Sequence, residues 1–85
     1  MSISNQPISL IRRKQLEQRM GIGRSTIYLR ISQSLITSPV SLGANSVGWP
    51  LHEIDAIIAA RVAGKSDDEI RLLVSELETA RKLVA

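Results

Sequence analysis

Residues 11–49 read IRRKQLEQRMGIGRSTIYLRISQSLITSPVSLGANSVGW, and this stretch decides the fold. Leu16 and Met20 stand four apart, so they share one face of a helix predicted over Arg13–Met20. Lys14, Gln15, Glu17 and Gln18 are left to face water. Gly21 suits the left-handed position that closes a helix. Ile22 can plug the space before a second helix, and Gly23 allows a tight reversal. That second helix starts at Arg24 or Ser25, with Ser25 or Thr26 able to satisfy its free backbone donors. Ile27 and Ile31, again four apart, point inward.

Beyond Ser38-Pro39 the period changes. Val40-Ser41-Leu42 and Val47-Gly48-Trp49 alternate apolar and polar or small residues, the pattern of half-buried strands. Gly43-Ala44-Asn45-Ser46 between them is a turn-forming set. The prediction is a hairpin pairing 40–42 with 47–49, too short to stand without packing on the helices. With one Tyr, one Trp and no Phe, the core is aliphatic, and Trp49 is expected inside it.

Upstream, residues 1–10 read as a flexible arm, broken by Pro7 and rich in Ser, Asn and Gln. Downstream, Pro50 suits the first turn of a third helix, where its missing N–H is not needed. Glu53 falls in the same turn, where negative charge is favourable, and Ile54, Ile57, Ile58 and Val62 form an inward stripe ending before Gly64. Ser66-Asp67-Asp68-Glu69 is a capping box that opens a fourth helix running to about Leu83. Ile70, Leu73, Leu77, Ala80 and Val84 follow a 3-4-3-4 spacing, a seam that could pair two copies of the chain or fold back on the third helix. The domain division is therefore 1–10, an arm; 11–64, a compact domain; and 65–85, a helix available for self-association.

The charge is uneven. Residues 1–49 hold six Arg and Lys against one Glu, whereas residues 50–85 hold five against seven acids. A polyanion-facing first half is the physical implication. With no Cys there is neither a disulfide framework nor a thiolate metal site. His52 stands alone, and Asp67, Asp68 and Glu69 complement a helix N-terminus rather than forming a catalytic cluster. Gly21-Ile22-Gly23 lacks the third glycine and preceding strand of a dinucleotide loop. No enzyme, cofactor, metal or small-molecule substrate is expected. Neither a membrane-spanning run nor a secretory leader is read in the sequence, so the expectation is a cytoplasmic protein.

In a helix-turn-helix the second helix enters the major groove with its N-terminal residues on base edges. Here these are Arg24, Ser25, Thr26 and Tyr28, with Arg30 further along. An arginine such as Arg24 can donate two hydrogen bonds to one guanine. Arg12, Arg13 and Lys14 can approach the phosphate backbone and supply salt-sensitive affinity.

Four motifs in order also resemble the AlpA family of prophage regulators. They are Gly21-Ile22-Gly23-Arg24-Ser25-Thr26-Ile27-Tyr28, Ser38-Pro39-Val40-Ser41-Leu42-Gly43, Val47-Gly48-Trp49, and Glu53-Ile54-Asp55-Ala56-Ile57-Ile58-Ala59-Ala60-Arg61. The resemblance covers roughly residues 11–61. It implies a mainly α fold with a small β-hairpin, a winged helix-turn-helix, to which this chain adds a C-terminal helix. It also implies a sequence-specific, double-stranded-DNA-binding transcriptional regulator of prophage or mobile-element genes, acting at the bacterial nucleoid. By position, Arg24, Ser25, Thr26 and Tyr28 would be the recognition contacts, and the turn 43–46, with Asn45 at its tip, the wing. Two other readings use the same fold: an excisionase-like factor that bends DNA, and a protein-binding module that inhibits a larger factor. Self-association through Ile70, Leu73, Leu77 and Ala80 would give a homodimer suited to a repeated half-site.

Overall fold

The structure, a computed structural model, describes residues 8–83. Its elements in order are β1 (Leu10–Ile11), α1 (Arg13–Met20), α2 (Arg24–Ser32), β2 (Val40–Gly43), β3 (Ser46–Pro50), α3 (Leu51–Val62) and α4 (Asp67–Ala80), with a last 3-10 turn at Arg81–Leu83. The fold is mainly α with a small antiparallel sheet.

The α1–α2 reversal follows from Gly21. Its φ of 68° is the left-handed conformation that a side chain disfavours, and its N–H donates to the Glu17 carbonyl at 2.8 Å. Gly23 differs from expectation. Its φ is −87°, an ordinary value, and it serves as the N-cap of α2 through its own carbonyl, which accepts from Ile27 N–H at 3.0 Å. Ser25 and Thr26 therefore lie inside the helix and do not cap it.

The hairpin forms between β2 and β3, with Val40 opposite Gly48 and Ser41 opposite Val47. Asn45 takes a φ of 59° at the turn, a value Asn tolerates. Gly48 answers to close packing. A Cβ there would sit 3.0 Å from both the Ile11 carbonyl oxygen and the Leu42 side chain. A third strand was not expected. β1 pairs with the other edge of β3, Leu10 against Pro50 and Ile11 against Trp49, so ordered pairing begins one residue inside the stretch read as an arm. Residues 1–7 of that stretch lie outside the described residues. Pro50 ends β3 and caps α3 from outside, so the helix begins at Leu51, whose N–H donates to the Ser9 carbonyl at 2.7 Å.

Two apolar clusters form the core. Ile11, Leu16, Ile27, Ile36, Trp49 and Ile54 make the first, under the helix-turn-helix and sheet. Leu35, Ile57, Ile70 and Val74 make the second, between α3 and α4. Trp49 is fully buried and its indole N–H donates to the Thr37 carbonyl at 2.9 Å, which satisfies its one polar atom. The Thr37 hydroxyl is buried without a described partner.

The stripe on α3 is rotated from its predicted position. At about 100° per residue, Ile57, Ile54, Ile58 and Val62 lie near −60°, 0°, 40° and 80°, and burial fades along that order. Ile57 and Ile54 are fully buried, Ile58 is half-buried and Val62 is 83% exposed. The inward arc instead extends the other way, to Glu53, which is fully buried. The Ser66 capping box forms as read, with Ser66 N–H donating to Glu69 at 2.9 Å and Glu69 N–H to the Ser66 hydroxyl at 3.2 Å.

Candidate nucleic-acid interface

The outer surface of α2 can be mapped from helix geometry. At about 100° per residue, Arg24, Tyr28, Ser32, Ser25 and Leu29 follow one another across an arc of about 140°. All five are exposed. On the rest of the circumference Ile27 is buried, and Thr26, Arg30 and Ile31 are half-buried. The structure thus divides the residues expected to touch DNA. Arg24, Ser25 and Tyr28 share the outward arc, whereas Thr26 and Arg30 lie on the inner side. Leu29, which the Ile27–Ile31 spacing leaves on the surface but which is not among the predicted DNA contacts, stands fully on the outward arc.

Beside this arc lies a cleft of about 410 Å³ lined by Arg12, Arg13, Lys14, Tyr28, Asn45 and Val47. The start of α1, the middle of α2 and the tip of the hairpin meet there. These segments are far apart in sequence, and their convergence is a product of the fold: β1 holds the start of α1 against β3, and β3 carries the hairpin tip. Val47 is the cleft residue the sequence did not single out. Its alternation suggested a half-buried position, and it is 38% exposed. Arg30 is not among the lining residues.

The cations differ in how they are engaged. Arg13 is paired with Glu17 one helical turn away, which holds it along α1. Arg12, Lys14, Arg24 and Arg30 make no salt bridge to any described residue. The Arg24 guanidinium lies 6.0 Å from the centroid of the Tyr28 ring, near the outer limit of a cation–π contact. That contact holds the side chain beside the ring while leaving its N–H groups available. The Arg12 backbone N–H donates to Gln15 at 2.9 Å, which fixes the entry into α1.

The model of the prophage CP4-57 regulatory protein (AlpA) family matches residues 9–62, more than half of the chain. The chain belongs to the AlpA family. The family match begins next to β1 and ends at the last residue of α3, so it includes every residue that lines the cleft. The chain is also 42% identical over 45 residues to the uncharacterized protein ORF88 of Enterobacteria phage P4, covering 53% of this chain and 51% of that protein. It thus spans about half the length of this relative. No solved structure matches it.

Helix α4 lies beyond the AlpA match, yet it is built into the same domain. Ile70 is fully buried, and Leu73 and Leu77 are half-buried against the same cluster. Ala80 is exposed, and Val84 lies outside the described residues. Packing within the chain therefore covers most of the apolar seam of α4. The short connection 63–66 returns α4 onto α3, and the stripe meets Ile57 and Leu35 there.

Polar contacts from α4 and the turn after it reach the segment joining α2 to the hairpin. Arg71 donates to the Gln33 carbonyl at 2.9 Å. Ser38 is held at both backbone groups: its N–H donates to Glu78 at 2.8 Å, and its carbonyl accepts from Arg81 at 2.7 Å. Arg81 also donates to both oxygens of buried Glu53, at 2.8 and 2.7 Å. The hydrogen bonds to the Glu53 carboxylate hold the Arg81 guanidinium above its ordinary pKa. This ion pair joins residues 28 apart in sequence, which no local motif could indicate.

Among the described residues, no helix is long and apolar enough to cross a membrane, and no cluster of three or more potential ligands could hold a metal ion.

Proposed function

We propose that the chain is a sequence-specific duplex-DNA-binding regulator of prophage or mobile-element genes. In this reading α2 enters the major groove, the β2–β3 hairpin acts as a wing, and the start of α1 lies along the phosphate backbone. The observation that carries it is the convergence of Arg12, Arg13, Lys14, Tyr28 and Asn45 on one cleft beside the exposed arc of α2. Membership of a regulatory family supports the biological setting.

The roles follow from chemistry. Arg12 and Lys14 carry charge that no described side chain neutralises, which suits them to phosphate. Arg24 sits at the first residue of α2, where a guanidinium can reach a guanine edge. Ser25 can reach phosphate or base. The hairpin tip, Ala44-Asn45-Ser46, carries no charge, so Asn45 contributes a hydrogen bond rather than electrostatic grip. Affinity thus rests chiefly on α1 and α2.

The test is equilibrium binding of the full chain to fluorescent duplexes at several salt concentrations, with duplexes enriched from a randomised pool competing against unselected ones. The expected result is affinity that falls steeply with salt and a clear preference for the enriched duplexes. Salt-insensitive binding, or enrichment of nothing, would overturn the reading.

A further inference from the structure

The outward arc of α2 holds one guanidinium, one phenol, two hydroxyls and one isobutyl group, those of Arg24, Tyr28, Ser25, Ser32 and Leu29. The isobutyl group is the chemical outlier. Leu29 is 55% exposed, more than Tyr28 at 41%, although inward positions on the same helix take Ile27 and Ile31. It lies about 100° around the helix from Tyr28, on the edge of the arc away from the basic cleft, and does not line that cleft. The Ser32 hydroxyl one turn on donates back to the Leu29 carbonyl at 2.6 Å, so this polar neighbour is partly occupied by the helix itself.

A leucine side chain can neither donate nor accept a hydrogen bond. In the major groove the one base feature complementary to it is the C5 methyl group of thymine. We infer that Leu29 is a specificity-determining residue that recognises a thymine methyl group. This rests on the reading of α2 as the groove-entering helix and adds to it the base that the apolar edge selects. The arc would then read two kinds of feature: hydrogen-bonding edges on the Arg24 side and a methyl group on the Leu29 side.

The test uses the full chain and the best duplex enriched from a randomised pool. Each thymine is replaced singly by deoxyuridine, which removes only the methyl group. At one position, uracil is expected to weaken binding about four-fold, the worth of one buried methyl group. Leu29→Ala is expected to bind the thymine and uracil duplexes equally at that position, with an unchanged salt slope. Leu29→Met, which restores an apolar tip, is expected to regain the penalty, and Tyr28→Phe to retain it. Because Leu29 is exposed, the alanine variant should keep the native thermal unfolding curve.

A uracil penalty that survives in Leu29→Ala, or the absence of a penalty at every thymine, would overturn the inference while leaving the major-groove reading standing. A change in sedimentation of the free protein on Leu29→Ala would assign the side chain to a protein contact and overturn it as well. If no duplex is enriched at all, the parent reading falls and takes this one with it.

Discussion

Cations in the two halves of this molecule do different work. On the α1–α2 side, Arg13 and Arg19 pair with Glu17 and Asp55, but Arg12, Lys14, Arg24 and Arg30 make no salt bridge to a described residue. On the α3–α4 side, Arg61, Arg71 and Arg81 pair with Asp67, Asp68 and Glu53. Arg71 and Arg81 also hold backbone carbonyls of the segment between α2 and the hairpin. Counting charge by halves of the sequence captures the imbalance but not this division. Charge left unneutralised is available to an outside anion, whereas charge that is paired and hydrogen-bonded fixes the geometry of the surface that would meet that anion.

Removing Arg81 is the sharpest way to break the contrast. Arg81→Ala leaves Glu53 buried without its partner, and the expected loss is about 3 kcal/mol, the low end for a broken buried pair because Arg81 keeps some contact with water. Chemical unfolding checks it. The same substitution in a Glu53→Gln background should cost much less. Arg24→Ala should do the opposite. Discrimination between preferred and unselected duplexes should fall by about 2 kcal/mol, read by competition binding, with the unfolding midpoint unchanged.

Lys14→Ala should weaken all duplexes alike and lower the salt slope by about 0.9, the mark of one lost phosphate contact. A change in sequence preference would place Lys14 among the base-reading residues instead. The smallest effect concerns Glu69, whose pKa is lowered by the hydrogen bond from the Ser66 backbone and then by the Ser66 side chain. A depressed carboxylate adds stability above its ordinary pKa and loses it as pH falls through the lowered value. Thermal unfolding followed from about pH 6 to about pH 3 should therefore show a slight acid-side decline that Glu69→Gln flattens.

Much of the fold was legible because its signals are local. The Arg13–Met20 helix, the Gly21 cap, the hairpin turn at Asn45 and the Ser66–Glu69 box each depend on residues a few positions apart. β1 was not legible, since a strand of two residues has no period to read. Val62 failed for a related reason. Spacing alone fixes a stripe but not the angle at which it meets its neighbours, and here the buried arc is turned toward Glu53. The same holds for the candidate site. Motif position picked out Arg24, Ser25 and Tyr28, and the Ile27–Ile31 spacing leaves Leu29 on the surface, but neither could tell that Thr26 and Arg30 face partly inward or that Val47 joins the cleft. Those distinctions arise only when α2 is seated on Leu16, Trp49 and Ile54.

The Glu53–Arg81 pair also bears on how such a chain can be rearranged. Glu53 lies inside the AlpA match and Arg81 outside it. A cut at the end of that match would remove Arg81 together with Leu77 and Ala80, which lie beside Glu53, and so leave the carboxylate both uncovered and without its cation. A C-terminal segment exchanged between relatives would therefore have to bring its own cation to position 53, or arrive with a neutral residue already there. Helix α4, with the turn that carries Arg81, is in that sense one half of a lock rather than a detachable tail.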